Sequence, residues 1–162
     1  MTTHRFNWML SPIAALLVLG ACATTTAPQT IADTTAANPQ LTTLNKLIND
    51  AGLADTLRGP GPYTMFAPTD EAFKAVPAAT LDAIAKDKER LKAVLAYHVV
   101  PGALTSADAK NGPVKTVQGA NLTLYKSGTF LTADEALVTT PDLRATNGVI
   151  QVVDKVLIPP AK

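Results

Sequence analysis

Cys22, His98 and two adjacent acidic pairs are the side chains in this sequence whose types are best suited to chemistry. Cys22 is the only cysteine, so no intramolecular disulfide can form; its thiol is left for an intermolecular bridge, a reactive role or a covalent modification. His98 is the only histidine besides His4. As a metal ligand it lacks a second histidine, a usable cysteine or a spaced carboxylate cluster. As a general base it lacks a nucleophile to serve, since there is no Gly-x-Ser-x-Gly motif. Its surroundings favour a buried histidine hydrogen-bonded across the fold. Asp70-Glu71 and Asp134-Glu135 are neighbours along the chain rather than carboxylates facing each other. The first pair reads as a helix start and the second as a solvated loop, so neither is expected to perform acid–base work. Gly59-Pro60-Gly61-Pro62 is no phosphate cradle, because its prolines remove N–H donors that such a loop needs. No catalytic residue, cofactor or metal site is expected.

The neighbours of Cys22 decide among its roles. Arg5 and His4 form a short basic start, and Trp8 to Leu19 is apolar except at Ser11 and Pro12. That run suits an export signal and is short for a bilayer span of about 20 residues. Leu19-Gly20-Ala21-Cys22 resembles the lipobox of bacterial lipoproteins. The resemblance implies diacylglycerol on the Cys22 sulfur, cleavage before it and fatty acylation, with palmitate as the typical chain, of the new amino terminus. Two or more acyl chains anchor stably where one does not. The expected organisation is a signal peptide over 1–21, a polar spacer over 22–28 and one domain over 29–160. Ala23 is not the aspartate that retains many such proteins at an inner membrane, which favours the outer membrane where one exists. On a bacterial export route the Asn121-Leu122-Thr123 sequon is uninformative.

Composition narrows the partners. The 162 residues are 47% apolar and 17% charged, enough for a core without disulfide or metal. The +1 net charge includes Arg5; without it the basic and acidic groups balance. A neutral domain lacks the cationic surface that nucleic-acid binding needs.

The positioning elements read as helices first and strands second. Asn38-Pro39 offers a helix cap and a first-turn proline, with Leu41, Leu44, Ile48 and Ala51 at helical spacing before Gly52. Leu53–Leu57 is a second short helix, and Tyr63–Ala67 reads as a strand. Thr69 caps a helix with Asp70 and Glu71 in its first turn, and Pro77 stops it. Leu81 and Ile84 mark another helix, and Asp87 caps a longer one carrying Leu91, Val94 and Leu95. Past Tyr97 short β-runs follow, separated by turn residues, with Asn147-Gly148 a hairpin signal before a long apolar strand from Val149 to Ile158. The order predicts α+β.

Three stretches together resemble the fasciclin domain family: Tyr63–Phe73, Tyr97-His98-Val99-Val100-Pro101-Gly102, and Asn147–Pro159. The resemblance spans about Gln29 to Pro159. It implies a compact β-wedge or sandwich with several short helices packed around it, a non-catalytic adhesion or interaction role at the cell envelope, and a surface protein or polysaccharide as partner. It also offers candidate partner-binding residues. Tyr97 and His98 lie in the central motif, and Asp142-Leu143 matches an acidic–aliphatic adhesion element, read here as an exposed loop. Gln151 stands where relatives often carry histidine, which alters any surface that used it. The motifs also have a folding explanation, since each pins a strand junction or turn. An alternative to adhesion is a small apolar ligand held between helices and strands; low aromatic content, 5%, disfavours it.

Overall fold

The computed structural model describes residues 29–160; the expected signal peptide, spacer and lipidated Cys22 lie outside the described residues. Among the described residues six helices, α1 (Ile31–Ala37), α2 (Thr42–Asp50), α3 (Ala54–Arg58), α4 (Asp70–Ala75), α5 (Ala78–Lys86) and α6 (Lys88–Tyr97), accompany seven strands. These are β1 (Tyr63–Pro68), β2 (Val99–Pro101), β3 (Gly112–Lys115), β4 (Asn121–Ser127), β5 (Phe130–Ala133), β6 (Ala136–Ala145) and β7 (Gly148–Val153). The α+β expectation holds, with one sheet in the order β2-β1-β7-β6-β5-β4-β3. The sheet curls until its ends meet, where Val117 N donates to Val99 O at 2.8 Å.

Local chemistry sets several of the helix starts. The Thr69 hydroxyl accepts from Ala72 N, and the Asp87 carboxylate accepts from Glu89 N and Arg90 N, so both caps expected from sequence form. Asn38-Pro39 does not cap α2. Asn38 Oδ1 accepts from Gln40 N at 2.9 Å, closing an Asx turn, and α2 starts at Thr42. The turn is needed because α1 precedes it, a helix the sequence pattern does not announce, capped by Thr30 and burying Ile31, Ala32 and Thr35.

The larger correction is topological. β1, amid the helices, pairs in parallel with β7 from Tyr63↔Gly148 to Pro68↔Val153. β7 also stops at Val153, short of Ile158. Period-two alternation sorts these central strands' side chains onto two faces. Met65, Ala67, Ile150 and Val152 join Leu41, Leu44, Ile48 and Leu91 in a core between sheet and helices. Phe66 and Val153 join Tyr97, Leu122, Leu124 and Leu157 in a second core inside the curl.

Candidate functional site

The central Tyr-His segment sits where α6 hands the chain to β2, and both side chains turn inward. Tyr97 is buried, its hydroxyl 2.8 Å from Asp134 Oδ2 and 3.1 Å from Asn121 O. Burial, then the hydrogen bond to Asp134 and its negative charge, holds the phenol well above its ordinary range. Asp134 also accepts from Thr123 N at 2.9 Å, so it ties α6 to the β-hairpins and is not the solvated loop acid expected from sequence. His98 is 1% exposed. Leu157 N donates to His98 Nε2 at 3.0 Å, which makes Nδ1 the protonated nitrogen, donating to Val94 O at 2.8 Å. Burial lowers its pKa to about 4, partly opposed by the Val94 carbonyl.

Asp142-Leu143 is not an exposed loop. Both residues belong to β6; Asp142 lies within the register shift between Thr140 and Leu143 and takes a left-handed φ of 57°, and Leu143 pairs with Ile150 of β7. The Asp142 carboxylate accepts from Ser106 N at 2.7 Å, from Ser106 Oγ, and from Gln151 Nε2 at 2.9 Å. Burial pushes this carboxyl up, but the Ser106 and Gln151 donors and nearby Arg144 outweigh it, leaving it below the usual range. Leu143 packs half-buried against the helix-side core. Gln151 is fully buried, so it alters no surface. Its Nε2 also donates to Leu104 O at 3.2 Å, while Leu104 N donates to Thr64 Oγ1 at 2.7 Å. Thr64, Gln151, Asp142 and Ser106 thus form a clip holding the β2–β3 connection against β1, β7 and β6.

Asn147 forms a second hub that the hairpin signal conceals. Its Oδ1 accepts from Ile31 N at 2.9 Å, and its Nδ2 donates to Leu57 O at 2.7 Å and Gly59 O at 2.9 Å. Its carbonyl accepts from Tyr63 N at 3.0 Å. One residue joins α1, α3, β1 and the β6–β7 turn. The sequence pattern marks the turn, but no local signal marks these distant partners.

The structure therefore brings the motif residues together as internal joints, and Tyr97 and His98 present no exposed group. An open groove of about 590 Å³ runs along the β6–β7 turn instead, lined by residues including Pro60, Pro62, Ala103, Asp142, Arg144 and Asn147. The apolar cleft between α3, α6 and the sheet, lined by Leu57, Met65 and Leu95, holds only about 60 Å³. Ligand pockets are commonly about 300–1,000 Å³. Among the described residues no three His, Cys, Asp or Glu side chains cluster as metal ligands, and no helix is long and apolar enough to cross a membrane.

The motifs, their order and this fold coincide with a match of residues 39–159 to the fasciclin domain model. The chain belongs to the fasciclin domain family. This fasciclin chain is 38% identical over 140 residues to Protein sll1483 of Synechocystis, covering 85% of this chain and 78% of that one. It is 39% identical over 130 residues to the cell surface glycolipoprotein MPT83 of Mycobacterium tuberculosis, covering 77% of this chain and 58% of the relative. It therefore spans little more than half of the mycobacterial protein. A solved FAS1 domain pair from the insect cell adhesion molecule fasciclin I matches with a TM-score of 0.65, over 81% of this chain and 51% of that one. At 18% identity that likeness concerns the fold.

Proposed function

We propose that this protein is a bacterial envelope lipoprotein that holds a single fasciclin domain outside the cytoplasm, through lipid on Cys22, for non-catalytic adhesion or surface interaction. The observation that carries the reading is the position of the only cysteine. It stands in Leu19-Gly20-Ala21-Cys22, ahead of a domain related to cell surface glycolipoproteins. A surface protein or polysaccharide is the partner class, and the outer membrane is the favoured site where the cell has one. The neutral domain supplies no general attraction to anionic lipid, so the acyl chains carry the anchoring. Cys22→Ser is expected to shift the protein from the membrane to the soluble fraction and to abolish labelling by radioactive fatty acid. An unchanged membrane fraction overturns the anchor. Crosslinking on intact cells is expected to join the domain to a surface protein or polysaccharide, and recovery of neither counts against adhesion.

A further inference from the structure

The two most exposed aromatic side chains of the described residues lie together. Tyr125 on β4 is 59% exposed and Phe130 on β5 is 65% exposed. The register pairs Tyr125 with Thr132 and Ser127 with Phe130, so the two rings are diagonal neighbours on one face of a hairpin. Leu122, Leu124 and Leu131 point the other way, into the core. The rings are therefore not needed to fill the fold. Their outward neighbours Thr123, Ser127 and Thr132 carry hydroxyls, and the carboxylate of Asp134 beside Thr123 is engaged by Thr123 N and the Tyr97 hydroxyl. A tyrosine with polar tip and apolar body, beside a phenylalanine and hydroxyls, suits the boundary between water and hydrocarbon.

The tether says which surface covers them. β6 and β7 meet at the Thr146-Asn147 turn, and Thr146 N fixes Gln29 there by donating to its carbonyl at 2.9 Å. β6 runs toward that end of the sheet and antiparallel β5 runs away from it, so the Gly128-Thr129 turn points the same way. The β2–β3 connection crosses this end. It is held by Asp142 through Ser106, and by Lys126, whose Nζ donates to Ala107 O at 2.9 Å. Cys22 is seven residue steps from Gln29, a span of at most about 25 Å. A domain this size is roughly 35 Å across. The end bearing Gln29 and the hairpin is thus the end the tether holds nearest the bilayer. Tethering also turns weak contact into an intramolecular event at high effective concentration, so two rings suffice.

We infer that the β4–β5 hairpin, through Tyr125 and Phe130, rests in the bilayer interface and sets the orientation of the anchored domain. This inference rests on the lipid anchor at Cys22 proposed above. Full-length lipidated protein in phosphatidylethanolamine–phosphatidylglycerol vesicles tests it. With the native thiol acylated, Thr129→Cys and Glu135→Cys each offer one site for a nitroxide, the second at the opposite end of β6. Relative accessibility to oxygen over a nickel chelate is expected to be several-fold higher at Thr129 than at Glu135. Adding Tyr125→Ser and Phe130→Ser should bring the two sites level while Cys22 stays lipidated. Equal accessibility with Cys22 lipidated overturns the hairpin contact and leaves the anchor standing. Dipolar broadening between Thr129 labels assigns the rings to a second copy and likewise overturns it. Absence of lipid on Cys22 overturns both readings.

Discussion

His98 is neutral because of where it sits, and this makes acid its weak point. In the unfolded chain it takes a proton near its ordinary pKa of 6.5, whereas in the fold it stays neutral to about 4. The unfolded state therefore binds more protons between those values, and stability falls as pH drops through that window. The shift corresponds to about 3 kcal/mol at full protonation. Urea unfolding of the protein at pH 7 and pH 4.5 should show the loss, and an NMR titration should show the imidazole neutral to about pH 4. A midpoint independent of pH across this range would sink the assignment. The inference from sequence that this lone histidine is an internal joint rests on the absence of ligand or nucleophile partners. Its actual partners, Val94 O and Leu157 N, are backbone groups with no side-chain signature, so they are not legible in the sequence.

At the scale of elements, legibility follows how local the determinant is. Thr69 and Asp87 cap helices through amides two or three residues away, so their roles can be read directly from the sequence. Asn38 uses the same short-range chemistry, but an Asx turn and a helix cap draw on identical residue types, and the sequence does not distinguish them. β6 hides for a different reason. Thr139, Thr140 and Pro141 face solvent, and the shifts around Asp142 break the alternation that reveals a strand. Here a loop-like composition belongs to a ten-residue strand. The Asp142 clip gives this element its own test. Asp142→Ala strips acceptors from Ser106 and Gln151 and puts alanine at a left-handed φ, so we expect a loss of about 2–4 kcal/mol. Asp142→Asn tolerates that backbone and keeps an acceptor, so it should cost clearly less. Denaturant midpoints and amide exchange at Ser106 read the difference. Unchanged stability in Asp142→Ala, with binding to cells lost, would return Asp142 to a recognition role.

At the scale of the whole molecule, the fold is held by an encounter between its two halves that no window of sequence reveals. β1 lies in the helical first half, and its neighbour β7 is the last strand; they run in parallel with α1 packed at their shared start. Gly148 is the point of closest approach. A Cβ there would stand 1.9 Å from Tyr63 O and 2.9 Å from Ile31 Cδ1. The first of these is backbone within the central sheet and cannot move alone, so Gly148→Ala must push β7 from β1 and disturb the Asn147 bonds beside it. Gly52 is the matched comparison: it has φ +69°, and a methyl group added there would meet nothing within 4 Å. Alanine at Gly52 should cost about 1 kcal/mol through backbone conformation alone. Alanine at Gly148 should cost about 4 kcal/mol or more, because it breaks a junction on which both cores depend. Thermal or urea unfolding of the two variants separates the cases. Similar small losses would mean that β1 and β7 part without consequence and that the two halves are stable independently. A large loss confined to Gly148→Ala is expected because the elements that make this an α+β domain, rather than a helical unit followed by a meander, converge on that one backbone contact.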